Sequence, residues 1–280
     1  MTDKIIHQEI KRPLLPESLN IKYQNNMNKL SNNRREFIKN SSLATLAALG
    51  IPEIVSTAFA GEKAIQVTLS KNDVILFQGD SITDWGRDKS KSDPNTSGAL
   101  GSGYALVTSA QLLSRHPALQ LQVYNKGISA EKVFQLADRW DRDCLEIKPN
   151  VLSILIGVND FWHTLTSGYK GTIETYRTDY RKLLERTKKA LPKVKLIIME
   201  PYAVKGVKAV DEKWYPAFND YQRAAKEIAL EFNAVFIPLQ TIFDKAQESA
   251  PGSYWTIDGV HPSVAGEGLI AQAWLQAVKG

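Results

Sequence analysis

The sequence predicts an α/β protein: a five-stranded parallel sheet held between two layers of helices, in one domain that follows an export leader. Two observations predict it. From residue 61 onward, short apolar runs alternate with longer amphipathic segments, the signature of repeated strand–helix–strand units. The runs are apolar almost throughout rather than at alternate positions, which suits strands covered on both faces. Right-handed crossovers then bring the carboxyl ends of all five strands to one rim.

The elements follow in chain order. Residues 32–60, NNRREFIKNSSLATLAALGIPEIVSTAFA, read as a targeting segment. Arg34-Arg35 precede Phe37, Ile38 and Lys39, an apolar stretch runs from Leu43 to Ile51, and Ala58-Phe59-Ala60 fits the small-x-small cleavage pattern. The segment resembles a twin-arginine signal peptide, with Asn33 where that pattern usually has Ser or Thr. Its apolar stretch is shorter than the roughly 20 residues of a membrane span. The expectation is cleavage after Ala60, export by the twin-arginine machinery to the periplasm or beyond, and no stable membrane insertion of the product. Residues 1–60 are the expected leader, removed on export, with Met27 a more natural start codon than Met1.

The expected strands are VILFQ (74–78), LQLQVYN (119–125), VLSILIG (151–157), KLIIME (195–200) and AVFIP (234–238), with IQVTLS (65–70) as an extra edge strand. Amphipathic spacing predicts helices over Tyr104–Arg115, Lys132–Trp140, Ile173–Leu191 and Ala217–Phe232. A last helix is expected over Val264–Val278, with Ser263 as its N-cap. The glycines of GALGSG (98–103) lack a preceding strand and dinucleotide-loop spacing, and read as a flexible connection. Residues 61–280 show no internal repeat and no long linker, so they read as one domain.

Composition narrows the function. Net charge is +5, but residues 1–60 hold 8 basic and 5 acidic side chains, leaving 27 against 25 for the rest. No Lys/Arg-dense block follows residue 60, so nucleic acid is not an expected partner. Cys144 is the sole cysteine, which excludes an intrachain disulfide and a thiol metal site, and it reads as a small hydrophobe. His116 and His163 have no ligand-spaced partner, so no metal is expected.

The rim carries the chemistry. Gly79-Asp80-Ser81 follows the first strand, Asn125-Lys126-Gly127 the second, and Gly157-Val158-Asn159-Asp160 the third; Asp258-Gly259-Val260-His261 comes late in the chain. A serine hydroxyl is a weak nucleophile until a base removes its proton, and His261 is the candidate base for Ser81. Asp258, three residues upstream, is placed to orient that imidazole. A tetrahedral intermediate needs preorganised donors, for which the Ser81 and Gly127 N–H groups and the Asn159 amide are candidates. The G-x-S-x-G elbow of α/β-hydrolases is absent around Ser81.

These four blocks, in this order, resemble the SGNH hydrolase superfamily, the GDSL-type esterases. Its hallmark serine, glycine, asparagine and histidine match Ser81, Gly127, Asn159 and His261, and its D-x-x-H block matches Asp258–His261. Ile82 stands where the name-giving motif has leucine. The resemblance runs from about Val74 to Ser263 and implies a flavodoxin-like three-layer α/β/α sandwich, ester hydrolysis through an acyl-enzyme, and no cofactor.

Substrate signals are thinner. Trp85, Trp162 and Trp255 adjoin three of the four blocks, and Trp214 lies in the long connection 203–216; as aromatic platforms they are candidate sugar-binding residues. The GVNDFWH and DGVHPS blocks look like those of superfamily esterases associated with carbohydrate degradation. The expected reaction is therefore removal of short acyl groups, chiefly O-acetyl, from polysaccharides. A lipid-acyl or broad short-chain esterase is the alternative, and a non-catalytic carbohydrate-binding protein a third reading.

Overall fold

The computed structural model describes residues 50–59 and 66–280. Its strands are β1 (Val67–Thr68), β2 (Val74–Gly79), β3 (Gln122–Asn125), β4 (Val151–Leu155), β5 (Lys195–Met199), β6 (Val235–Ile237) and β7 (Val278–Lys279). Five of them form one parallel sheet in the order β3-β2-β4-β5-β6. Counted within the sheet this is the flavodoxin-like 2-1-3-4-5 order, and its switch point falls between β2 and β4. All five residues of β4 are buried, as expected of a central strand covered on both faces.

The helices are α1 (Ile51–Phe59), α2 (Ser81–Asp84), α3 (Ser97–Leu100), α4 (Tyr104–Arg115), α5 (Val133–Asp138), α6 (Val158–Thr166), α7 (Ile173–Ala190), α8 (Phe218–Glu231), α9 (Leu239–Ala246), α10 (Gly252–Trp255) and α11 (Val264–Gln276). One layer is built from α1, α4, α9 and α11, the other from α5, α6, α7 and α8. In α7 the buried Tyr176, Tyr180, Leu183, Leu184 and Thr187 trace one face at helical spacing. By contrast α11 is buried nearly all round, because α1 and α9 pack on it as well as α4. The two layers are pinned by buried indole N–H groups: Trp274 donates to Ser153 Oγ on β4 at 3.0 Å, and Trp140 to Thr187 Oγ1 on α7 at 2.9 Å.

Three expectations need correction. Segment 65–70 does not extend the main sheet: β1 pairs in parallel with β7, which ends the helix expected to reach Val278. The strand expected from residue 119 begins only at Gln122, since Pro117–Leu119 form a 3-10 turn that closes on Gln120 with φ 50°. GALGSG is not a plain connection: α3 occupies residues 97–100, and Gly103 is the N-cap of α4. Ser263 does cap α11, accepting the Gly266 N–H at 3.3 Å. Cys144 is fully buried, and burial pushes its thiol up to about 12.

Leu49–Gly280 cluster as one compact unit. Ile54 and Val55 of α1 are fully buried, so a helix lying upstream of the expected cleavage point is packed into the domain. The arginine pair, most of the apolar stretch and Ala60 itself lie outside the described residues. Among the described residues no helix is long and apolar enough to cross a membrane.

Candidate active site

Strand β2 stops at Gly79 because the chain must turn sharply there: a Cβ at Gly79 would meet the Leu155 carbonyl oxygen of β4 at 2.3 Å. Asp80 then caps α2 by accepting the Ile82 N–H at 3.0 Å, which leaves Ser81 as the first residue of the helix, partly exposed above the sheet. At the far end of the chain, Gly259 takes φ 96° between the Val204 and Val207 carbonyls, and this turn folds Asp258 back under His261.

The two segments meet. Ser81 Oγ lies 2.8 Å from His261 Nε2, and His261 Nδ1 lies 2.7 Å from Asp258 Oδ2. Asp258 Oδ1 accepts the backbone N–H groups of His261 at 2.7 Å and Val260 at 2.9 Å, so the carboxylate is fixed on both oxygens. Burial acts to raise the Asp258 pKa, but the hydrogen bonds from His261 and Val260 outweigh it and push it down to about 2. The same carboxylate raises His261 above the ordinary imidazole value, against the opposing effect of its burial. An ionised aspartate therefore holds Nδ1–H as a donor and leaves Nε2 as an acceptor facing the hydroxyl.

The donor set differs in part from expectation. Asn159, the second residue of α6, is buried and donates to the Glu131 carbonyl at 3.2 Å. That bond orients its amide and leaves one of its two N–H bonds for another acceptor. Gly127 is where the sequence places it, but its N–H donates to Asn125 Oδ1 at 2.9 Å in an Asx turn. Gly127 is thus a close-approach position rather than a free donor: a Cβ there would meet the Asp84 backbone nitrogen at 2.5 Å. The Ser81 N–H, at the start of α2, has no acceptor among the described residues.

Of the four candidate tryptophans, two stand at the site. The Trp85 ring centroid is 5.8 Å from that of His261, and the Trp162 centroid 6.1 Å, both rings partly exposed. Trp214 and Trp255 are corrections. Trp214 is buried behind Trp162 and donates to the Ala209 carbonyl, while Trp255 is buried and donates to the Ala246 carbonyl. Neither presents a surface to a substrate. A cleft of about 370 Å³ opens over Ser81 and His261, walled by Trp85, Gly86, Ser102 and Ser129.

Sequence reasoning gave no catalytic or binding role to the residues that brace this cleft. Asp84 accepts the Ser129 N–H at 3.0 Å and hydroxyl at 2.7 Å. Arg87 Nε donates to the Gly127 carbonyl at 2.7 Å, and Asn125 Nδ2 donates to the Thr83 and Leu100 carbonyls. Asp160, the neighbour of Asn159, is buried, and its carboxylate accepts the Val133 N–H at 3.3 Å; burial raises it to about 7.

A hydroxyl, imidazole and carboxylate in series at the switch point of such a sheet define a serine-type acyl hydrolase. The chain belongs to the GDSL-like lipase/acylhydrolase family, whose model matches residues 77–269. It is 34% identical over 215 residues to the acetylxylan esterase of Geobacillus stearothermophilus, covering 75% of this chain and 95% of that one. The crystal structure of that esterase aligns with a TM-score of 0.68 at 32% identity, over 76% of this chain and 96% of the other. Catalytic mutants of it have been solved with an aspartate, a serine and a histidine each replaced by alanine. A GDSL-like lipase structure from Parabacteroides merdae aligns with a TM-score of 0.75 at 51% identity, over 76% of this chain and 98% of the other.

Proposed function

We propose that this acyl hydrolase removes O-acetyl groups from polysaccharides, through an acyl-enzyme on Ser81. The observation that carries the reading is the unbroken series Ser81 Oγ–His261 Nε2–Asp258 at 2.8 and 2.7 Å. His261 takes the Ser81 proton as Oγ attacks the ester carbonyl, and Asp258 holds the ring without taking the proton itself. The Ser81 N–H and the Asn159 amide stabilise the oxyanion. His261 then protonates the departing sugar hydroxyl and activates the water that releases acetate.

The cleft supports a short acyl group on a sugar. Apart from indole faces, its wall is made of hydroxyls, glycine and imidazole, whereas a lipid chain calls for an extended apolar channel. Trp85 and Trp162, each with its ring close to that of His261, are the ring platforms for the sugar. The similarity to the acetylxylan esterase of Geobacillus stearothermophilus supports the same substrate class. Export by the twin-arginine route, with cleavage after Ala60, places the enzyme in the periplasm or outside the cell, where such polymers are met.

Acetate release from acetylated xylan, pectin and simple acetylated sugars tests the reading, with Ser81→Ala as the control. The expected result is release from at least one acetylated polymer, abolished in the variant, with activity falling as the acyl chain of model esters lengthens. Activity that rises with acyl length overturns it in favour of a lipid-acyl esterase. Intact mass of the exported protein is expected to start near Gly61; a product retaining residues 51–59 overturns the cleavage site.

A further inference from the structure

Directly behind the wall of the cleft lies a second cavity of about 460 Å³, and its lining is cationic. The two cavities share their partition. Gly86 and Ser129 face the active-site cleft, while their chain neighbours Arg87 and Ile128 face the second one. Lys89, Lys126 and Arg142 complete the basic lining, with the Ser92 and Tyr124 hydroxyls beside them.

The charge there is not balanced by the protein. Arg142 is paired with Asp143 at 2.7 Å, and Lys89 with Asp84 at 2.9 Å. Asp143 is also shared with Arg139, and Asp84 stands 3.7 Å from Arg87 Nε. The Lys126 ammonium has no carboxylate or hydrogen-bond partner among the described residues, although the residue is partly buried. Burial and the like charges of Arg87, Arg142 and Arg139 lower its pKa, with Asp143 opposing. Arg87 is nearly buried and uses Nε on the Gly127 carbonyl, and its terminal nitrogens donate to no described residue. A buried guanidinium fork beside an unpaired ammonium and two hydroxyls is the donor set that recognises an oxyanion.

We infer that this cavity is a subsite for an acidic sugar unit, a uronyl carboxylate or a sugar sulfate, carried by the polysaccharide whose acetyl group sits over Ser81. The inference rests on the polysaccharide reading above. The alternation of the two cavities across one thin wall places the anion a short step along the polymer from the scissile ester. Arg87 joins them, since the guanidinium that meets the anion also holds the Gly127 carbonyl.

The test compares kcat/KM for acetylated xylo-oligosaccharides with and without a uronic acid branch, and for sulfated against unsulfated acetylated oligosaccharides. One acidic series is expected to be favoured about tenfold, the size of one charge-assisted contact. That advantage is expected to shrink with added salt and to be lost in Lys126→Met and Arg142→Gln. The series that shows it identifies the anion. Equal kcat/KM for acidic and neutral substrates overturns the inference, as does an advantage that both variants retain. Calorimetric titration of the wild-type protein with glucuronate, a glucose sulfate and inorganic phosphate separates the two readings. If no acetylated oligosaccharide is hydrolysed but the acidic sugars bind, the esterase reading fails and the subsite stands. If phosphate binds as well as either sugar, or none binds, the subsite assignment fails whatever the esterase result.

Discussion

Asp258 commits both carboxylate oxygens to one loop, and this dictates how the site responds to pH and mutation. Because the ionised carboxylate raises His261, the base becomes protonated already above the ordinary value of 6.5. The acid limb of kcat/KM is therefore expected above pH 6.5, and Asp258→Asn is expected to move it to lower pH while cutting turnover by roughly 10⁴-fold. A pH–rate profile of both proteins on a soluble acetyl ester measures the two effects together. An unmoved limb sinks the assignment of that limb to His261. The stability signs follow from the same pair. The His261 contribution is complete below 6.5 and fades as pH rises through its elevated folded value, whereas the Asp258 contribution is present above 3.8 and is lost as pH falls towards about 2. Asn159→Ala removes a proposed oxyanion donor and is expected to lower kcat by about 10²–10³ with the fold intact; steady-state kinetics alongside circular dichroism check this. The triad was legible in the sequence because each residue type is tied to a strand end or a fixed local spacing. Gly127 was located but given the wrong task, since only the folded Asx turn shows where its N–H points. Trp214 and Trp255 were misassigned because an aromatic side chain near a motif packs equally well into a wall or a core.

At the scale of elements, α11 and α4 meet through a buried acid. Glu267 of α11 accepts the Tyr104 N–H at the start of α4, and burial raises its pKa to about 8. A carboxyl raised from 4.5 to about 8 holds a proton in the folded state that the unfolded chain releases, so its contribution is full below 4.5 and disappears as pH rises through 8. Glu267→Gln keeps an acceptor for Tyr104 and cannot ionise. The urea midpoint is expected to differ less between about pH 5 and about pH 8.5 in the variant than in the wild type. An unchanged difference shows that Glu267 does not carry the dependence. Among the helices α6 and α9, of nine and eight residues, were passed over, whereas α4, α5, α7, α8 and α11 were legible from amphipathic spacing and the five sheet strands from their continuous apolar runs. The four-residue helices α2, α3 and α10 were not, since a single turn carries no period. Nor was the partner of β1, which lies at the opposite end of the chain.

For the whole molecule, the packing of α1 decides how stable a processed form is. Ile54 and Val55 are fully buried where α1 lies against α9 and α11. Burial of such side chains is worth about 1.5–3 kcal/mol each. A chain beginning at Gln66 is therefore expected to unfold at lower denaturant concentration than one beginning at Leu49, with the same kcat on a small ester. Chemical denaturation and kinetics of the two proteins check this, and equal midpoints show that the helix adds nothing to the domain.

The pairing of β1 with β7 has a consequence for biogenesis. Val67 finds its parallel neighbour only at Val278, more than two hundred residues further along the chain. A ribosome releasing this chain from its amino end must first add the whole intervening segment, His261 included, before that pairing can form. The edge made by β1 and β7 can therefore close only once every strand of the main sheet has emerged.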